Sequence, residues 1–335
     1  MASVRRLDGF ARYALAVQYH GKSFLGFSYQ PTQEDTILPD GTDLRGLRTV
    51  EGRIREALNT LVGDENFENF QVSSRTDRGV HAIKNSCHVD IRPRQSSSDP
   101  WDTRSLHDGI NFYLSRQGMS ESGDAMTQMR ILAVHNAPLS MKNVFYDGTE
   151  KNGPEDMDWN ARFSATDRTY VYRILQSNAS FGVPFEFDRS WRIAHQKMLN
   201  VDAMNEAAQY LIGSQDVSSF RGAKCARHSP IVTMNDVSVT SQPYGLSSAL
   251  DMSGSMFGSS EKDNQSLVLV KLSGKSFVYR QVRNMVGCLL EVGREKLSPM
   301  DVKRILEERD RTKAPAMAPA HGLFLVDVKH GDFII

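Results

Sequence analysis

The chain has 335 residues, 40% of them hydrophobic and 24% charged, the proportions of a soluble globular protein with room for two domains. Forty Lys and Arg balance forty Asp and Glu, so overall charge supplies no steering, and a polyanionic partner has to be met by a local basic face. No apolar run approaches a membrane span, and Cys87, Cys225 and Cys288 lie far apart with no C-x-x-C spacing, which argues against a disulfide framework or zinc site and for a reducing compartment.

The N-terminal lead carries Arg5 and Arg6 but is too short and too weakly amphipathic for a transit peptide, and it lacks a secretory apolar core. Tyr13, Leu15, Val17 and Tyr19 alternate as a first strand. The segment 31–46 is polar and turn-rich and reads as an insertion. Val50, Ile54, Ala57, Leu58, Leu61 and Val62 share one helical face that Gly63 terminates.

Next comes Ser73-Ser74-Arg75-Thr76-Asp77-Arg78-Gly79-Val80-His81-Ala82. It sets one carboxylate between two arginines, ahead of a glycine able to turn the chain sharply. Nearby cations favour the ionised form, which suits a nucleophile or charge stabiliser better than a proton donor. Asp-Arg-Gly is equally a plain turn, so the segment alone decides nothing. His81 reads as a support for this loop rather than as a base.

Cys87, Val89 and Ile91 alternate with His88 and Asp90, a pattern that predicts a half-exposed strand. A helix over 106–115 and a strand over 129–134 follow, and the first half is assigned the order βαββαβ, which calls for one strand more than these five elements. The residues 147–158, rich in acids and glycine, are expected to be a linker between domains 1–146 and 159–335.

The second half repeats the scheme. Residues 170–175 read as a strand, and Met204, Ala207, Ala208, Leu211 and Ile212 as a helix face ending at Gly213. Val237 and Val239 mark a strand, and 267–272 another. Between them, 242–265 is rich in Ser and Gly and reads as a mobile insertion. Val282, Met285, Val286, Leu289 and Val292 form a helix face stopped by Gly293. Ser298-Pro299 starts a further helix with Asp301 in its positive first turn, and 322–328 is the last strand.

Two further segments carry chemistry. In the run from Trp159 to Arg173, Tyr170 and Tyr172 share one side of a strand, with Arg162 and Arg168 before them. Aromatics with interleaved arginines stack single-stranded bases and hold their phosphates; a tyrosine ladder packed on a helix is at least as common. In the run from Ser276 to Gly287, Tyr279, Arg283 and Val286 would share a helix face. Arg283 there either snorkels to water or meets an anion. Arg221, Lys224, Arg227 and His228 form a basic cluster that reads either as a phosphate-contacting loop or, as most such clusters are, as a merely solvated one. Walker and G-x-G-x-x-G loops, a zinc-deaminase signature and a G-x-S-x-G elbow are all missing from the sequence, so no cofactor, nucleotide or metal is indicated.

Taken in order, these segments resemble the TruA family of tRNA pseudouridine synthases over nearly the whole chain. Tyr19-His20-Gly21-Lys22-Ser23-Phe24-Leu25-Gly26 is similar to its Y-D-G-S-x-F-x-G, and Arg75-Thr76-Asp77-Arg78-Gly79-Val80-His81-Ala82 to its R-T-D-x-G-V-H-A. The segments 161–166, 216–221, 277–287 and 320–326 also match. The serine pair before Arg75 and the run 276–283 look most like the animal mitochondrial branch, which leaves a mitochondrial or a cytoplasmic address.

The resemblance implies an α+β fold of two ferredoxin-like (RRM-like) βαββαβ halves with antiparallel sheets meeting at a central RNA-binding catalytic cleft. It implies isomerisation of uridine to pseudouridine in the anticodon stem-loop of tRNA, by a homodimer without cofactor. Asp77 would be the nucleophile, Arg283 its ion-pair partner, and Tyr170 the ring stacked on the flipped-out base. Arg75 would help to hold that nucleotide. Arg78, Arg162, Arg168, Arg221 and Lys224 complete the expected RNA contacts. The sequence departs from the family at His20, at Phe27-Ser28 and at Arg78, which puts RNA choice in play and leaves the catalytic groups intact. A non-catalytic RNA-binding protein of the same fold is the alternative reading.

Overall fold

A computed structural model of the protein describes residues 8–28, 48–94, 99–117, 128–139, 158–177, 186–194, 197–223, 225–244 and 265–335. The chain divides into two compact units, one of Met1–Arg168 with Leu325–Ile335 and one of Thr169–Phe324. Both are mixed α and β with mostly antiparallel strands. The expected linker at 147–158, apart from Asp158, and the insertion at 31–46 lie outside the described residues, as does most of the expected insertion at 242–265.

The first unit runs β1 (Ala11–Tyr19), α1 (Val50–Val62), β2 (Phe67–Val72), β3 (His81–Ile91), α2 (Thr103–Gln117) and β4 (Met129–Asn136). β1 pairs antiparallel with β3 on one side and β4 on the other, and β2 pairs antiparallel with β3. The strand order is therefore β4-β1-β3-β2. α1 begins where the Thr49 hydroxyl accepts from Gly52 N at 3.0 Å and stops at Gly63, whose φ of 90° a side chain would resist. It packs on α2 at Gly109, where a Cβ would come within 2.8 Å of the Leu61 side chain.

β3 departs from the half-exposed strand that its alternation predicts. His88 and Asp90 are both fully buried. The face they share is covered by the segment that follows β4: Trp159 and Ala161 pack with Ala14, Ala16, Ala137 and Ile335. Small alanines on that side of β1 leave room for the indole. Polar positions are tolerated there because they are paired. Arg12 grips Asp90 with two bonds, Nε to Oδ1 at 2.6 Å and Nη2 to Oδ2 at 2.8 Å, and gives Nη1 to the Trp159 carbonyl at 2.8 Å. Asn69 adds a third bond to Asp90, at 3.0 Å.

The second unit contains β5 (Asp167–Gln176), β6 (Trp191–Ile193), α3 (Val201–Gln209), β7 (Gly213–Asp216), β8 (Ile231–Pro243), β9 (Ser266–Gly274), α4 (Gln281–Gly293) and α5 (Pro299–Glu308). β5, β9, β8 and β7 are neighbours in that order, and the short β6 pairs parallel with β5. β6 and β7 are additions to the expected scheme. β10 (Leu323–Lys329) closes the described fold and lies beside β3. Lys84 and Asp327 meet there at 3.2 Å.

Two helix boundaries differ from expectation. α3 ends at Gln209; Tyr210, Leu211 and Ile212 tighten into three-residue turns, and Gly213, at φ 97°, starts β7. α4 starts at Gln281, so Tyr279 precedes the helix and does not share a helical face with Arg283. α5 starts as expected, with a capping box between Ser298 and Asp301 and Pro299 in the first turn. Among the described residues no helix is long and apolar enough to cross a membrane. All three cysteines are free.

Candidate active site

The loop that joins β2 to β3 presents Asp77, half-buried, between the exposed Arg75 and Arg78. Its tip is a turn in which Val80 N donates to Asp77 O at 3.1 Å, with Gly79 at φ 81°. Almost every residue around the aspartate is anchored. Thr76 is buried; its hydroxyl lies 2.8 Å from Tyr19 Oη and its carbonyl accepts from Phe27 N at 3.1 Å. The Ser74 carbonyl accepts from Asn85 Nδ2 at 2.9 Å, and the same amide reaches Tyr19 Oη at 3.2 Å.

The segment after β1 closes over this loop and explains two of its glycines. A Cβ on Gly21 would fall 2.1 Å from the Val80 carbonyl oxygen, so only glycine admits the contact. Gly26, at φ 121°, lies against Thr76 O at 3.0 Å by the same construction. His81 bears out its supporting role: Nδ1 accepts from Gly21 N at 3.0 Å, and its ring lies 4.5 Å from that of His20. The segment also docks on the start of α1, with Val50 N and Glu51 N donating to the carbonyls of Gly26 and Phe27.

At the base of the loop lies a buried polar chain that sequence reasoning missed. The Ser73 carbonyl accepts two bonds from Arg168, from Nε at 3.2 Å and Nη2 at 2.9 Å. The Ser73 hydroxyl donates to the Ala161 carbonyl, so its oxygen is left to accept from Ser86 at 2.5 Å. The Ser86 oxygen then accepts from Nε2–H of His330 at 2.7 Å. His330 is held neutral: burial first, then Arg168 and Lys84, push its pKa down to about 3. His88 nearby is pushed to about 3 as well, by burial, Arg12 and His330, and its Nδ1 accepts from Ala161 N at 3.0 Å.

Arg168 sits apart from the other expected RNA contacts. Expected at an RNA interface, it is buried at 7% exposure, with Nη2 also donating to the Arg162 carbonyl at 3.0 Å. Its guanidinium donates to the main-chain oxygens of Ser73, Arg162 and Ala165, all in its own unit. Arg168 lies at the start of β5, two residues before Tyr170, with buried Ser164 and Ala165 just ahead of the strand. Arg162 is exposed, with its guanidinium 5.4 Å from the centre of the Phe163 ring.

In the second unit Tyr170 is buried at 6% exposure, with its ring edge-on to Phe277 at 5.0 Å. Tyr172, on the same side of β5, is a core residue: it is fully covered and donates to the Pro319 carbonyl at 2.8 Å, and burial raises its pKa. Arg283 is half-buried on α4, and its Nε donates to Ala318 O at 2.8 Å. Gly287, one turn on, brings that segment close: a Cβ there would meet Ala316 O at 2.1 Å. Arg221 is half-buried and closes its own loop by donating to the carbonyls of Cys225, at 2.9 Å, and Arg227. Lys224 lies outside the described residues.

Residues 207–330 match the family model described as tRNA pseudouridine synthase. The chain is 32% identical over 322 residues to the tRNA pseudouridine synthase A of Caulobacter vibrioides, covering 96% of this chain and 99% of that protein. It is 31% identical over 324 residues to the protein of the same name from Gluconobacter oxydans, covering 97% of this chain and 91% of that one. With the Brucella ovis protein of that name it shares 30% over 319 residues, 95% of this chain and 98% of the relative.

Proposed function

From the premise that the chain belongs to the TruA-type tRNA pseudouridine synthases and is an isomerase, we propose that it acts on uridine in the anticodon stem-loop of tRNA, with Asp77 as nucleophile. The reaction breaks the N1–C1′ glycosidic bond, turns the uracil, and joins C5 to C1′. The hydrogen on C5 leaves to solvent and N1 gains one, so atoms balance without a redox partner. A carboxylate that adds covalently holds the detached intermediate through the rotation.

The observation that carries this reading is the anchored loop itself. Fixing Thr76, Ser74 and Ser73 by side chains from β1, β3 and the start of β5 leaves Asp77 little freedom, as a positioned nucleophile requires. We assign Arg283 as the ion-pair partner of Asp77 and Tyr170 as the ring stacked on the flipped uracil, on the family's motifs at those positions. Arg75, Arg78 and Arg162, all exposed, and the loop of Arg221 and Lys224 are assigned to the RNA. Arg168 is assigned to positioning. The β4-β1-β3-β2 order of the first unit supports a ferredoxin-like half.

The same resemblance supports a homodimer, to be tested by sedimentation, where a monomeric mass in the presence and absence of tRNA contradicts it. The likeness of 276–283 to the animal mitochondrial branch favours a mitochondrial address, which fractionation of cells tests directly. For the activity, unmodified tRNA transcripts are incubated with the protein and pseudouridine is mapped by base. New pseudouridine in the anticodon stem-loop is expected; modification only elsewhere contradicts the substrate assignment.

A further inference from the structure

The segment between β9 and α4 carries two aromatics two residues apart that point to different surroundings. Phe277 is half-buried and edge-on to Tyr170. Tyr279 is 39% exposed, and the guanidinium of Arg280, itself exposed, stands 4.7 Å from the centre of its ring. Arg280 holds a left-handed conformation, φ 62° and ψ 8°, at the N-cap of α4. A non-glycine residue there costs energy and persists because the surrounding structure fixes it, here at the turn into α4.

Gly222 and Arg227 are fastened to this same segment. Gly222 N donates to Tyr279 O at 2.8 Å, and a Cβ on Gly222 would fall 2.8 Å from Cδ1 of Tyr279, so one edge of the ring abuts the glycine. Arg227 donates to Ser276 Oγ at 2.8 Å. A solvent-facing aromatic braced on a glycine, overlaid by one arginine and bordered by others, is a platform for an unpaired base with its phosphate.

We infer that Tyr279 and Arg280 form a second stacking site, which takes the nucleotide adjoining the flipped uridine in the tRNA. The inference rests on the assignment of Tyr170 to the target base. Phe277 then links the two rings through a short stretch of chain, so neighbouring nucleotides are held by neighbouring aromatics. A base extruded from a loop needs its neighbour held apart, because that neighbour would otherwise restack on it.

The test uses an anticodon stem-loop carrying 2-aminopurine beside the target uridine. The wild-type protein is expected to change its emission on binding. Tyr279→Ala is expected to lose that change and to weaken binding about tenfold, while Tyr279→Phe keeps both, which separates stacking from loss of fold. Tyr279→Ala with wild-type affinity and emission overturns the inference. Tyr170→Ala is assayed alongside: impaired turnover supports the parent reading independently, whereas wild-type turnover overturns that reading and this one with it.

Discussion

The guanidinium of Arg168 donates twice to the main-chain carbonyl of Ser73, four residues before Asp77. Hydrogen bonds from a charged donor to a buried carbonyl are among the stronger ones, and the planar fork fixes direction as well as distance. Arg168→Lys keeps the charge but not the fork. It is expected to cost about 1–3 kcal/mol of stability and to lower kcat by roughly 10- to 100-fold through displacement of the loop. Urea unfolding and single-turnover assays measure the two effects; an unchanged kcat contradicts the positioning role.

Gly21 meets the carbonyl of Val80 so closely that Gly21→Ala has to move main chain against main chain. Overpacking of this kind costs about 1–3 kcal/mol. Because Val80 closes the turn that begins at Asp77, activity is expected to fall further than the loss in melting temperature explains. Ala at Gly331, where nothing lies within 4 Å of the added Cβ, probes the case without a clash: although its φ is also positive, at 61°, turnover is expected to persist. Equal turnover in the two variants contradicts the account.

His88 and His330 give the first unit a pH dependence whose sign follows from burial. Both are held neutral, with pKa values pushed down to about 3 from the ordinary 6.5. The unfolded chain takes up protons below about pH 6.5 that the folded chain refuses, so stability is fully present above that pH. It is lost as pH falls toward 3, with a slope on the order of 1 kcal/mol per pH unit for each histidine. Melting curves from pH 7 to 4 test this: His330→Gln is expected to flatten the slope, and an unaltered slope contradicts it.

Much of this fold is legible in the sequence, and the exceptions share one cause. β1, α1 and the capped start of α5 are written in local patterns: alternation, a one-faced stripe ended by Gly63, and Ser298-Pro299 with Asp301. His88 and Asp90 were misleading because alternation assumes one wet face, whereas Trp159, more than sixty positions on, covers that face. Arg168 was misleading for the same reason: beside tyrosines on a strand it reads as a surface cation, and only its tertiary partner Ser73 shows otherwise. The Asp77 loop stood out through residue order, but its anchors Tyr19, Asn85 and Gly21 come from other segments. No local pattern announces them.

The most direct measurement is tritium release from tRNA labelled at C5 of uridine, with wild type and Asp77→Asn compared at equal tRNA occupancy. Wild type is expected to release tritium as the new C5–C1′ bond forms, and Asp77→Asn to bind the tRNA yet release none above background. Release by Asp77→Asn at the wild-type rate would contradict the assignment of Asp77 as the nucleophile.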